Sequence, residues 1–222
     1  NMKFKKPKNK KITKKKSFHG RTIATLKATA QEDKHKYFDP YPDGFVYAND
    51  INEAITMIDD TTVSVMLELI QGEGGIFMQD IFQVQRLERI LKEKKLLLII
   101  DEVQTGVYRS GNFLISQYFG IKPDIVTLAK GLASGIPIGV MMTSLKDIFT
   151  FGDHGSTFGG NHLSTTVCKA VLKILEKYSN SGKLGENIKY FNSCLQYFTD
   201  KYPDIFLQKN GWGIYARSCF KK

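Results

Sequence analysis

The chain has 222 residues, of which 42% are hydrophobic, and its formal net charge is +10. This length and apolar content suffice for one α/β domain, or for one large domain and part of a second, and they exclude a wholly disordered chain. No apolar run is long enough for a membrane-spanning helix, and the lysine-rich start is not followed by the apolar segment of a secretory signal.

The positive charge is concentrated at one end of the chain. Residues 1–16 contain nine lysines and no acidic residue, whereas the remaining residues carry 23 basic and 22 acidic side chains. A run of like charges is typical of a solvated segment, so we expect residues 1–16 to form a disordered basic arm. Such an arm could bind RNA, DNA or an anionic membrane. Nucleic-acid binding is a distant alternative, because Phe4 is the one interleaved aromatic and no recognition motif follows.

The cysteine pattern points to a reducing compartment. The three cysteines, Cys168, Cys194 and Cys219, are an odd number without CxxC spacing. This argues against a disulfide framework and against a zinc or redox site, and no metal is expected. We therefore expect a cytoplasmic protein.

Hydrophobic patterns after Ser17 alternate between strand and helix. The predicted strands are short apolar runs at 63–69, 96–100, 124–129 and 138–143. Apolar residues at helical spacing predict helices at 51–58, 113–119 and about 184–201. A further predicted helix has the apolar face Phe82, Val84, Leu87, Ile90 and Leu91. Another would be capped by Ser164 and would have the apolar face Val167, Ala170, Val171, Ile174 and Leu175. This alternation predicts an α/β fold with a mainly parallel sheet flanked by helices.

Two charged residues directly follow predicted strands. Asp101 and Lys130 would lie beyond the carboxyl ends of the sheet, where α/β proteins bind ligands. A lysine partly removed from water has a lowered pKa and can attack a carbonyl, although on position alone a lysine that reaches solvent at the sheet edge is the commoner arrangement. Asp101 could pair with a protonated pyridine nitrogen, cap a helix or bind a metal.

Two glycine-rich loops, 72–75 and 155–160, could let backbone amides approach a phosphate closely. Each loop alone is weak support, because ordinary turns also need glycine. A GxxxxGK[ST] loop is absent from the sequence, which weakens a nucleotide-binding interpretation.

Six motifs in order resemble those of class III, fold-type I aminotransferases, which use pyridoxal 5'-phosphate (PLP). They are SFHGRT (17–22), LELIQGEGGI (67–76), LLLIIDEVQTGV (96–107), PDIVTLAKGL (123–132), PIGV (137–140) and HGSTFGGN (154–161). The sequence is most similar to the acetylornithine/ornithine aminotransferase branch, from about Ser17 to Leu175. The resemblance implies the large PLP-binding domain of that fold, incomplete here, over 17–180, and a linker helix with the start of a small C-terminal domain over 181–222.

The resemblance also implies roles for the cofactor-binding residues. Lys130 would form the Schiff base with PLP and later move a proton on the substrate carbon. Asp101 would keep the pyridine nitrogen protonated, and Gln104 would donate a hydrogen bond to the phenolic oxygen of the ring. Phe18 would stack on the ring, with His19 beside it.

Further residues are implied on the substrate side and across a subunit interface. Arg21 would bind a substrate carboxylate, for which its guanidinium geometry is suited. Glu68 and Glu73 would line the site, and Glu73 could pair with an arginine of the C-terminal domain. Thr157 would donate to the cofactor phosphate of a neighbouring subunit, which implies a homodimer.

The implied reaction is transfer of the amino group of N-acetylornithine, or a related ω-amino substrate, to 2-oxoglutarate, as in arginine biosynthesis. The family's small-residue phosphate loop upstream of SFHGR and the carboxylate-binding arginine of the C-terminal domain have no counterpart here, and Arg217 is a poor substitute. We therefore expect an incomplete member, and a catalytically inactive remnant is the main alternative.

Overall fold

A six-stranded sheet forms the centre of the computed structural model, which describes residues 8–221. Within these residues the strands are β1 (Lys10–Lys14), β2 (Phe45–Ala48), β3 (Thr62–Leu67), β4 (Ile70–Gln71), β5 (Phe77–Met78), β6 (Leu97–Asp101), β7 (Ile125–Leu128), β8 (Val140–Thr143), β9 (Phe206–Trp212) and β10 (Tyr215–Phe220). The central sheet has the order β2-β1-β3-β6-β7-β8; the first five strands are parallel and β8 is antiparallel to β7. The predicted mainly parallel α/β fold is confirmed.

Helices connect the strands and continue beyond the sheet. They are α1 (Ile23–Ala28), α2 (Ile51–Thr56), α3 (Ile81–Glu93), α4 (Ile115–Tyr118), α5 (His162–Asn180) and α6 (Lys183–Lys201), with short 3-10 turns at Glu32–Lys34 and Lys130–Ala133. Of the helices in residues 8–221, none combines the length and apolar character that a bilayer crossing requires.

The main hydrophobic core lies between the sheet and α2 and α3. Its fully buried members include Val65, Leu67, Leu98 and Ile100, which come from the adjacent strands β3 and β6. Burial of each such side chain favours folding by about 1.5–3 kcal/mol. The paired strands therefore hold their carboxyl ends in fixed positions, and those ends carry Glu68 and Asp101.

Helix α3 confirms the predicted helix but not all of its predicted face. Asp80 caps it by accepting a hydrogen bond from the Gln83 amide at 2.8 Å. Val84, Leu87 and Leu91 are buried, but Phe82 is 79% exposed, so its placement on this face was wrong. A helix turns about 100° per residue, which puts Phe82 roughly opposite Val84.

Helix α5 also differs in detail from the prediction. Asn161 is its N-cap and accepts a hydrogen bond from the Ser164 amide at 2.9 Å, so Ser164 lies inside the first turn. The face that packs on the smaller core cluster contains Cys168, Leu172 and Leu175, whereas Ile174 is exposed. The predicted cap was therefore wrong, and Ile174 lies off the packed face.

The amino-terminal segment contradicts the predicted disordered arm. Residues Lys10–Lys14 form β1, an interior strand between β2 and β3, and Ile12 pairs with both Val46 and Val65. The prediction is wrong for this stretch; residues 1–7 lie outside the described part of the chain. The fully buried side chain of Ile12 supplies the apolar anchor, although lysines surround it in sequence.

The lysines of β1 have partners that explain how a basic sequence enters a sheet. Lys10 forms an ion pair with Asp59, and Lys14 donates to the side-chain oxygen of Gln71 at 2.9 Å. Long lysine stems can follow apolar surface while their ammonium groups reach polar partners. This removes the structural basis for a nucleic-acid-binding arm over residues 10–14.

The last two strands form an antiparallel hairpin, β9–β10, separate from the central sheet. The Ile214 amide donates to the Arg109 carbonyl at 3.2 Å, and the Trp212 ring lies 4.4 Å from the Tyr118 ring. The hairpin therefore contacts the loop that follows β6.

Candidate active site

Asp101 and Lys130 lie at the carboxyl ends of adjacent parallel strands. Asp101 ends β6 and pairs in register with Thr127 of β7, and Lys130 follows three residues later along the chain. The Lys130 backbone has a φ of 46°, in the left-handed region. A non-glycine residue in that conformation costs about 1–3 kcal/mol, and such residues are concentrated at functional sites.

The Asp101 carboxylate is buried and bound by several donors. His19 Nδ1 lies 2.8 Å from Oδ2, while the Val103 amide and the Thr127 hydroxyl donate to Oδ1, each at 3.1 Å. Because an ionised carboxylate can only accept hydrogen bonds, His19 Nδ1 carries the proton. These contacts fix the orientation of Asp101 at the sheet edge.

The other ring nitrogen of His19, Nε2, is buried and has no hydrogen-bond partner among residues 8–221. The His19 backbone is fixed separately, because its amide donates to the Thr29 hydroxyl at 2.9 Å. The contact between Nδ1 and Asp101 places the His19 ring at the end of β6.

Glu68 is a second buried carboxyl group in the site. It accepts hydrogen bonds from the Phe18 amide at 2.9 Å and from the Gly72 amide at 3.5 Å. Burial raises the pKa of Glu68 to about 7, Asp101 adds to the rise, and His19 and the two amides oppose it. Glu68 can therefore gain or lose a proton near neutral pH.

The Lys130 side chain is exposed, and it lies within the electrostatic influence of the nearby carboxyl groups. Partial removal from solvent lowers the pKa of Lys130, and the charges of Asp101, Glu68 and Glu73 act in the opposite direction. A lowered pKa increases the fraction of neutral amine, which is the nucleophilic form.

Two cationic side chains lie near the Phe18 ring. The Arg21 guanidinium carbon lies 5.5 Å from the ring centroid and the Lys34 ammonium lies 5.8 Å from it. Lys34 is also 3.8 Å from Glu73. In the described chain, Glu73 thus has a lysine neighbour.

Of the predicted site residues, Gln104 and Lys130 line a cleft of about 620 Å³. One end carries the polar side chains of Gln104, Arg109, Lys130 and Tyr215. The apolar end lies between the loop after β6 and the two long helices, and it is lined by Val107, Val171, Leu175 and Leu184. The cleft can therefore hold an organic molecule next to the amine of Lys130.

Thr157 does not line the cleft of its own chain. It lies in the connection from β8 to α5, where residues 146–161 are exposed throughout. Three large aromatic side chains, Phe149, Phe151 and Phe158, are exposed in the same connection. Whether Thr157 serves another subunit stays a prediction.

Three contact residues were not found from the sequence. Thr127 donates a hydrogen bond to Asp101. The sequence feature that could have identified it is a polar residue within the apolar strand at 124–129. Lys34 approaches Glu73 from a 3-10 turn that no apolar pattern marks. Tyr215 donates to Gln104 across 111 residues, a contact that local patterns do not indicate.

The sheet, with a lysine and an aspartate at the ends of neighbouring strands, defines the large domain of a fold-type I aminotransferase. The chain belongs to the class-III aminotransferase family, whose model matches residues 1–213.

Curated relatives specify the similarity further. The chain is 54% identical over 203 residues to the acetylornithine aminotransferase of Wolinella succinogenes, which covers 91% of this chain and 52% of the relative. It is 47% identical over 165 residues to the acetylornithine aminotransferase of Aquifex aeolicus, which covers 72% of this chain and 44% of the relative. The chain therefore spans about half the length of these relatives.

Solved structures show the same fold. An ornithine aminotransferase of Toxoplasma gondii, with partial occupancy of PLP at its active site, matches with a TM-score of 0.84 and 28% identity, over 95% of this chain and 51% of that one. A second structure, the ornithine aminotransferase of Toxoplasma gondii ME49, gives a TM-score of 0.82 and 32% identity over 93% and 50% of the two chains.

Proposed function

We propose that this chain carries the PLP-binding part of an aminotransferase that moves the amino group of N-acetylornithine, or a related ω-amino substrate, to 2-oxoglutarate. The observation that supports it most is the placement of Lys130 and Asp101 at the ends of adjacent strands, with Lys130 lining a cleft. The acetylornithine aminotransferases among its relatives support the substrate class. A role in arginine biosynthesis follows from that choice of substrate.

The residues at this edge of the sheet fit PLP chemically. Lys130 supplies an amine with a lowered pKa, Asp101 a buried carboxylate and Gln104 an amide at the cleft surface. PLP, when bound, supplies a carbonyl that accepts an amine and a pyridine ring that withdraws electrons. The remaining chemistry falls to side chains of the protein.

Lys130 would hold the cofactor as a Schiff base and, once released, move a proton at the substrate carbon. Its lowered pKa favours both tasks, because the neutral amine is both the nucleophile and the base. Asp101 would keep a proton on the pyridine nitrogen, and His19 would hold that carboxylate in place through the 2.8 Å contact.

The other predicted residues would bind and orient. Gln104 would donate to the phenolic oxygen of the cofactor, and Phe18 would pack against its ring. Arg21 would bind a substrate carboxylate, since its guanidinium is exposed beside Phe18. Glu68 and Glu73 would line the substrate side of the site.

We further propose a homodimer in which Thr157 binds the cofactor phosphate of the partner subunit. Its exposed position, outside the cleft of its own chain, supports this role. The exposed Phe149, Phe151 and Phe158 give the same connection the aromatic surface that subunit interfaces favour. The unpaired cysteines support a reducing compartment such as the cytoplasm.

Borohydride trapping tests the cofactor assignment directly. The purified chain with PLP should show a Schiff-base absorbance band, and reduction followed by peptide mapping should place the label on Lys130. Lys130→Ala should abolish the label. Lys122→Ala is the matched control, because Lys122 precedes the opposite end of β7 and should leave labelling unchanged.

Glutamate formation from N-acetylornithine and 2-oxoglutarate tests the activity. Turnover that Lys130→Ala removes would support the proposed reaction. Labelling of Lys130 without turnover would instead favour an inactive remnant that keeps the cofactor site. An unlabelled Lys130 would contradict the proposed function itself.

A further inference from the structure

The C-terminal hairpin inserts a tyrosine between two loops of the site. The Tyr215 hydroxyl is hydrogen-bonded to Gln104 Oε1, at the end of the cleft that also contains Lys130. Gly72 lies directly beside this pair, and a Cβ atom there would overlap both the hydroxyl and the amide oxygen. This glycine of the turn between β4 and β5 therefore gives the two side chains room to meet.

Several contacts fix the hairpin at this position. The Ile214 amide donates to the Arg109 carbonyl at 3.2 Å, and Asn192 donates its side-chain amide to the Gly213 carbonyl at 2.8 Å. Gly213 has a φ of 64° and lies so close to the Ser110 backbone that a side chain would clash with it. These backbone contacts hold Tyr215, two residues after Gly213, next to Gln104.

The chemistry of an amide makes this contact directional. A glutamine side chain has one acceptor, Oε1, and two donors on Nε2. With Oε1 bound by the tyrosine hydroxyl, Nε2 is the end left to face the cleft. We propose that Tyr215 is a positioning residue that holds Gln104 with its Nε2 donors directed at the ligand in the cleft.

The surroundings keep the tyrosine in its donor form. Burial raises the pKa of Tyr215 to about 12, and the carboxylates of Glu68 and Glu73 add to the rise, while Arg109 opposes it. The hydroxyl therefore keeps its proton throughout the neutral range. A protonated tyrosine can donate a hydrogen bond to Oε1 of Gln104 throughout this range, whereas a phenolate has no proton to donate.

This inference rests on the proposed function, in which Gln104 donates to the phenolic oxygen of PLP. A hydrogen bond to that oxygen stabilises its negative charge and weakens its hold on the proton of the neighbouring Schiff base. The pKa of the Schiff base is then lower than it would be with a freely rotating Gln104. Loss of the Tyr215 hydroxyl should raise it.

The test is a pH titration of the Schiff-base absorbance in the full chain with PLP bound. We expect Tyr215→Phe to raise the Schiff-base pKa by about 0.5 to 1 unit, the equivalent of one net hydrogen bond. Gln104→Leu should raise it by at least as much. The double variant should add nothing further, because the tyrosine acts through the glutamine.

Tyr118→Phe is the matched control. It removes a hydroxyl from a ring that packs on Trp212 of the same hairpin, so it keeps the hairpin contact and should leave the Schiff-base pKa unchanged. An unchanged pKa in Tyr215→Phe, or additive shifts in the double variant, would overturn the inference while leaving the proposed function intact. Absence of the band in the parent chain would overturn both.

Discussion

His19 and Asp101 form a buried pair, with Nδ1 of the ring 2.8 Å from Oδ2 of the carboxylate and side-chain exposures of 0% and 7%. The pair joins the loop after β1 to the end of β6 across 82 residues. Because the Thr127 hydroxyl and the Val103 amide hold the other oxygen, the carboxylate has one orientation. Its position at the end of β6 is set before any ligand binds.

Asp101→Asn tests the charge of this group. We expect turnover at saturating PLP to fall by at least about a hundredfold, because a neutral amide cannot stabilise positive charge on the pyridine nitrogen. Steady-state kinetics with N-acetylornithine and 2-oxoglutarate measure the change. The backbone should be little affected, since asparagine has nearly the same shape.

Asp124→Asn provides the control for that substitution. Asp124 accepts a hydrogen bond from the Leu98 amide near the amino end of β6, away from the cleft. Its replacement should change stability but not turnover per bound cofactor. Equal kinetic effects of the two substitutions would show that Asp101 has a structural role only.

Glu68 should make stability depend on pH in an unusual direction. Burial raises its pKa in the folded chain to about 7, from an ordinary value of 4.5. Between these values the folded chain keeps a proton that the unfolded chain releases, so stability falls as pH rises through this window. Glu68→Gln has no such proton and should lack the fall.

Urea unfolding at pH 4 and pH 8 measures this effect. The parent should lose about 3 kcal/mol relative to Glu68→Gln across that range. Glu93→Gln, on the exposed side of α3, is the control and should follow the parent. Parallel pH profiles for the parent and Glu68→Gln would contradict a raised pKa.

The alternation of strands and helices, and the positions of Asp101 and Lys130 at strand ends, could be predicted because they depend on local patterns. A buried apolar run that ends in a charged residue marks the carboxyl end of a strand, and this placed Asp101 and Lys130 correctly. The helices α2, α3 and α6 follow from apolar spacing in the same way.

Other features depend on contacts that a local pattern does not contain. β1 was missed because its lysines outnumber its apolar residues, while the packing of Ile12 between two strands decides its conformation. The Tyr215 contact depends on how a distant hairpin folds back onto Gln104. Tertiary packing determines both, and it overrides the local composition.

Ile12→Ala tests whether β1 is part of the folded core. Ile12 is fully buried between β2 and β3, so the cavity left by truncation should destabilise the chain by about 2–5 kcal/mol. Urea unfolding monitored by circular dichroism measures the loss. The exposed Lys15 is the control, and Lys15→Ala should change stability by less than about 0.5 kcal/mol. A parent-like Ile12→Ala would place this segment outside the core.

Mixing two inactive or weakened variants tests the proposed sharing of Thr157 between subunits. Lys130→Ala lacks the Schiff-base amine, and Thr157→Ala should bind PLP weakly through loss of a phosphate contact. In a mixed dimer, one site combines Lys130 of one subunit with Thr157 of the other and is complete. Random mixing should restore about a quarter of the parent's sites, since half the dimers are mixed and each has one intact site.

The measurement is glutamate formation at limiting PLP, before and after the two variants are unfolded together and refolded. Activity above the sum of the separate variants is expected, because the exposed connection 146–161 leaves Thr157 available to another subunit. A mixture that shows only the sum would mean that Thr157 acts within its own chain or not at all. A control mixture of Lys130→Ala with Asp101→Asn should give no such gain, because Lys130 and Asp101 lie at the ends of adjacent strands of one subunit. Each site of the mixed dimer then carries one of the two substitutions.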